Sequence, residues 1–199
     1  MSRPWTAAFV AGALCLALPC ADAQEMKGKP ADKPMAMTSP PPMPKPAPEM
    51  AQLQPFEGSW TCEGTMAASP FGPGGKSTST VKARSTLGGF WQEGVIKGTM
   101  PGMPPFEGMF HTTYDPAAKR YVMLWVDNMG AWAQSTAPGW EGDKMVFAGD
   151  SYMAGQKVAS RDIFTKGSGT FKHVGELQMD GRWVPLFDET CRKTGSAAK

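Results

Sequence analysis

Between Phe106 and Trp132 the chain reads FEGMFHTTYDPAAKRYVMLWVDNMGAW: two β-patterned runs joined by a Tyr-Asp-Pro turn, with a third run starting after Asp-Asn-Met-Gly. Aromatic and β-branched residues punctuated by Gly, Pro, Asp and Asn specify strands and tight turns. The same pattern recurs over residues 59–66, 77–87, 91–97, 106–113, 120–127, 131–136, 144–148, 160–165, 170–178 and 183–189. No window of helical length carries a clean 3.6-residue period. About ten short strands with hairpin-length connections imply an all-β, antiparallel domain, either a closed up-and-down β-barrel or a sandwich.

The ends of the chain speak to its destination. MSRPWTAAFVAGALCLALPCADAQ combines cationic Arg3, an apolar run from Ala7 to Leu18 and the small-residue pattern Ala21-Asp22-Ala23, which together read as a secretory signal peptide over residues 1–23. The apolar run is shorter than the roughly 20 residues that cross a bilayer as a helix, so no transmembrane segment is expected in the mature protein. Ala17-Leu18-Pro19 ahead of Cys20 is a poor lipidation signal. A periplasmic or secreted location follows as the expectation.

Residues 25 to 50 hold eight prolines, five methionines, four lysines and no aromatic residue, and such a segment cannot bury enough apolar surface to offset chain ordering. A disordered linker is expected over 24–50, a barrel domain over 51–193 and a flexible tail over 194–199. Met35, Met37, Met43 and Met50 offer soft thioether ligands for Cu(I), but their interleaving with proline and lysine also follows from composition alone, and a passive tether is the simpler expectation. The formal net charge is +2, and no basic cluster is interleaved with aromatics, so nucleic acid is not an expected partner.

Loss of the signal would leave Cys62 and Cys191 as the cysteines of the mature chain, and in an oxidising compartment the pair is expected to be bonded, with two buried free thiols as the alternative. If the first and last strands pair with Cys62 opposite Cys191, paired positions sum to 253, and Trp60 faces Lys193 on the same side of the sheet. A cation over an indole would then help close a barrel.

A Gly-x-Trp opening of the first strand with a cationic residue from the last resembles the closing device of lipocalin-like, or calycin, barrels. Phe56-Glu57-Gly58-Ser59-Trp60, Gly88-Gly89-Phe90-Trp91-Gln92-Glu93-Gly94, Tyr114-Asp115 with Lys119 and Tyr121, Trp125-Val126-Asp127, and Glu189-Thr190-Cys191-Arg192-Lys193 together resemble a bacterial family known only as domain of unknown function 1579. The resemblance implies a lipocalin-like barrel and supplies no catalytic residues.

Alternation in 120–127 puts Tyr121, Met123 and Trp125 on one face and Val122, Leu124 and Val126 on the other. Both faces are apolar, so one lines the barrel and the other is covered or forms an exposed patch. The interior is either filled by its side chains or open to a small apolar or amphipathic ligand, with Trp60, Trp91, Phe110, Met123 and Trp125 as the expected ligand-binding residues.

His111 and His173 lie in strands 62 positions apart, which makes no metal motif, and no metal or cofactor is expected. A single histidine can hold haem in some calycin-like barrels, but a hydrogen-bonded strand histidine is the commoner case. Asp115 and Asp127 are expected to cap turns, and Ser59, Ser77 and Ser79 lack a nucleophile-elbow context. Three functions stay open: a non-enzymatic ligand-binding barrel, a cell-envelope interaction module whose protein partners the sequence does not name, and an isomerase- or cyclase-like enzyme using the cavity.

Overall fold

Turn residues set the architecture. In the computed structural model, which describes residues 42–70 and 72–195, Asp180-Gly181 and Ala154-Gly155 each carry two successive positive φ angles (50° and 76°, 50° and 75°). That is the geometry whose twist matches a two-residue hairpin. The strands so connected are β1 (Gly58–Met66), β2 (Gly75–Thr86), β3 (Trp91–Thr99), β4 (Phe106–Asp115), β5 (Arg120–Asp127), β6 (Trp132–Ala137), β7 (Trp140–Glu141), β8 (Lys144–Met153), β9 (Gln156–Gly167), β10 (Thr170–Met179) and β11 (Arg182–Gly195). Each pairs antiparallel with its sequence neighbours, except that β6 pairs with β8 and leaves the two-residue β7 beside the end of β8. With β1 also paired to β11, ten strands form a closed barrel in the up-and-down, lipocalin-like order.

The seam has the expected register. Cys62 pairs with Cys191 and Trp60 with Lys193, and the two sulfurs sit at disulfide distance with their Cα atoms 3.9 Å apart. Lys193 Nζ lies 5.2 Å from the centre of the Trp60 indole. Strands β8 and β9 run longer than expected, because Gly149 and the residues around Ala154-Gly155 look like loop in sequence but form a continuous hairpin. Asp115 accepts hydrogen bonds from the amides of Ala117 and Ala118, and Asp127 from those of Met129 and Ala131, so both aspartates cap turns.

One end of the barrel is floored by a 3-10 helix, Pro48–Phe56. Proline near its start presets φ and lacks the N–H that would be orphaned there. Leu53 is buried with Tyr121, Met145 and Phe147, while Phe56 packs against Trp140, Phe164 and Phe171. Four wall side chains donate to the helix's carbonyls: Tyr121 Oη to Glu49 (2.8 Å), Trp140 Nε1 to Gln52 (2.9 Å), Gln92 Nε2 to Leu53 (2.8 Å) and Trp60 Nε1 to Phe56 (2.9 Å). Burial, first, and then Tyr114 and Glu49 push the Tyr121 phenol up to about 12, which keeps it a donor.

Pro48–Met50, expected in the linker, therefore belong to the floor, and β11 extends to Gly195 into the expected tail. Met50 packs against the core while Met43 is exposed. Met35, Met37 and the expected signal peptide lie outside the described residues.

Candidate functional site

Alternation from the buried Cys62 and Cys191 decides which side chains enter the barrel. They enclose a cavity of about 520 Å³ that starts above the floor residues Leu53 and Phe56. Phe110, Met123, Trp125 and Phe187 supply apolar wall. Around the hairpins at the far end lie five methionines: Met66, Met100, Met103, Met129 and Met153. Thioether chains adapt their shape, so this rim can accommodate more than one occupant.

Glycines keep the interior open. A Cβ on Gly94 would overlap the ring of Phe110, one on Gly108 the indole of Trp125, and one on Gly175 the ring of Phe187. Each ring thus lies over the space left by a missing side chain and stays against the wall. Gly108→Ala should push Trp125 into the lumen, costing about 1–3 kcal/mol of stability through overpacking. Urea denaturation of the variant, together with its capacity for an apolar probe, checks this, and an unchanged midpoint with unchanged binding would refute it.

The structure separates the five expected lining residues. Phe110, Met123 and Trp125 face the cavity. Trp60 lies beneath it, packed on Phe171 with ring centres 4.6 Å apart and bonded to the Phe56 carbonyl. Trp91 corrects the expectation: it lies on the outer face, in a shallow recess with Leu87, His111 and Leu124. The phase of β3 is set by Gln92, which is buried at 2% exposure and bonded to Leu53, so its neighbour Trp91 must point outward.

A polar group deep in the cavity was missed. On β10, His173 points inward between Asp162 of β9 and Glu189 of β11, with Nε2 3.0 Å from Asp162 Oδ1 and Nδ1 3.0 Å from Glu189 Oε1. Its ring stacks on Phe164 at 4.2 Å and meets Phe187 edge-on. Burial, the largest influence, pulls the imidazole down, but the hydrogen bonds and charges of Asp162 and Glu189 outweigh it and raise the pKa to about 9. At neutral pH the ring is therefore an imidazolium that donates through both nitrogens. In that state neither ring nitrogen, each 3.0 Å from a carboxylate oxygen, offers a lone pair to a metal or haem iron. His111 points away from the cavity. Glu189 also comes close to Cys62 and Cys191, whose bonded sulfurs are not thiolate ligands.

The signal for this group was in the sequence. Glu189 is two residues before Cys191 and so on the same strand face, and His173 stands opposite Glu189 once β10 and β11 are in register. The polar lining also includes the hydroxyls of Ser151 and Ser160, 2.7 Å apart, and Gln92 with its cross-strand neighbour Thr112.

Residues 45–184 match the profile of the family described as "Protein of unknown function (DUF1579)". Among solved structures, the chain is similar to the crystal structure of Rv2717c from M. tuberculosis, with a TM-score of 0.60 and 12% identity over 75% of this chain and 99% of that one. At that identity the likeness is one of fold. No curated protein matches.

Proposed function

Because the chain belongs to the DUF1579 family, whose description assigns no activity, the reading rests on the cavity, and we propose that this is an exported, non-enzymatic barrel that binds one small apolar or amphipathic molecule. The observation that carries the proposal is the cavity of about 520 Å³, walled by aromatic and methionine side chains with a few polar groups among them. Small-molecule sites commonly have this size and make-up. A bonded cysteine pair fits an oxidising compartment, and among the described residues no helix is long and apolar enough to cross a membrane. An enzymatic role finds little support in an imidazolium with both nitrogens committed to carboxylates.

Titration with a neutral, environment-sensitive naphthalene dye tests the proposal. One saturable site is expected, weakened at least five-fold by Trp125→Ala or Met123→Ala and left unchanged by Trp91→Ala. Non-saturating fluorescence, or equal loss in Trp91→Ala, would sink the interior-site reading.

A second reading, an envelope interaction module, is favoured by one feature. Val95, Met109, Val126, Trp132 and Tyr152 are successive cross-strand partners on the outer face. Within this row Val126 and Trp132 are 48% and 46% exposed, and Trp132 stacks on Tyr152 at 4.0 Å. Exposed apolar patches of this kind commonly mark contact surfaces.

A further inference from the structure

The polar group on the cavity wall restricts what an occupant can carry. Asp162 Oδ1 and Glu189 Oε1 are taken by His173, but among the described residues their second carboxylate oxygens have no hydrogen-bond partner. Neither of these oxygens is a buried, unsatisfied atom, so each retains accessible surface, and both residues line the cavity. Thr112, 2% exposed, likewise lines the cavity with a hydroxyl that makes no hydrogen bond among the described residues. Its neighbour Gln92 spends its amide N–H on Leu53 and keeps its carbonyl oxygen as an acceptor.

The charges are unequal. Within this group two carboxylates and one imidazolium sum to −1, and the lining adds Asp127 and the Arg161-paired Glu176. Among the described lining residues the only lysine or arginine is Arg161, which is paired with Glu176 and lies over the Trp183 ring at 4.4 Å. A ligand carboxylate entering this space would meet two like charges and no free cation, whereas a cationic donor would neutralise the excess and satisfy the open oxygens.

We infer that the cavity takes its ligand head-first, with a protonated amine or similar cationic donor seated against Asp162 and Glu189 and an apolar tail directed towards the methionine rim. The inference rests on the interior-site reading. It specifies an amphipathic amine as the ligand class and rejects fatty carboxylates and other anionic amphiphiles.

Displacement of the naphthalene dye from the full mature protein at pH 7 by decylamine, decanol and decanoate, all below their aggregation concentrations, tests it. Decylamine should compete at least ten-fold better than decanoate, with decanol between them. The double substitution Asp162→Asn/Glu189→Gln should abolish that order if it folds, and the wild-type ranking decides the matter even if it does not. Decanoate competing as well as decylamine while the dye still saturates one site would overturn the head-group assignment and leave the cavity reading intact. Failure of the dye itself to bind would overturn both.

Discussion

Replacing Cys62 and Cys191 together by alanine should lower the free energy of unfolding by about 5 kcal/mol. The two residues are 129 positions apart, and closing a loop of that length removes about this much from the denatured chain's entropy advantage. The bond also fastens β1 to β11, the seam that turns a twisted sheet into a ring. Domains of this size are stable by only about 5–15 kcal/mol, so the variant should sit close to its unfolding threshold at ambient temperature. Urea denaturation followed by tryptophan fluorescence measures the effect, and dithiothreitol should move the wild type the same way. A loss below about 1 kcal/mol would mean that hydrogen bonds and packing alone hold the seam.

The second large effect is alkaline. The folded-state pKa of His173 is raised to about 9 from an unfolded value near 6.5, so its contribution is fully present below about pH 6.5 and is lost as pH rises through about 9. A shift of this size corresponds to on the order of 3 kcal/mol. His173→Leu removes the cation between Asp162 and Glu189 and leaves two carboxylates facing each other in an apolar interior, which should cost about 3–5 kcal/mol at pH 6. The gap between wild type and variant should then narrow towards pH 10. Denaturation series at pH 6, 7.5, 9 and 10 measure that difference directly. Parallel curves for the two proteins would show that the imidazole is not charged in the folded state. Adding Asp162→Asn and Glu189→Gln to the leucine variant should recover part of the loss.

What sequence disclosed and what it hid divide along a physical line. Strand periodicity and turn chemistry are local, so the hairpins, the alternation of β5 and the capping roles of Asp115 and Asp127 were legible. The seam was legible because two cysteines fix one register and the register carries Trp60 to Lys193. Trp91 was misplaced because its strand's phase is decided by a hydrogen bond from Gln92 to a segment 39 residues away. Residues 156–159 look like loop in sequence yet belong to β9, because a strand can contain lysine and glutamine when only one of its faces is buried. The Asp162–His173–Glu189 group stayed hidden because three strands must be aligned before its members meet, and each alone reads as an isolated polar residue in a strand.

The floor helix bears on the order in which the molecule assembles. Its carbonyls accept hydrogen bonds from residues 4, 39, 72 and 88 positions away, and the three distant donors stand on β3, β5 and β7. Contacts of such sequence separation form after local hairpins, because the intervening chain must first be brought together. Residues that a ribosome delivers ahead of β1 are thus among the last to find their partners. The floor can be fastened only once the sheet has curled far enough to present Gln92, Tyr121 and Trp140 together.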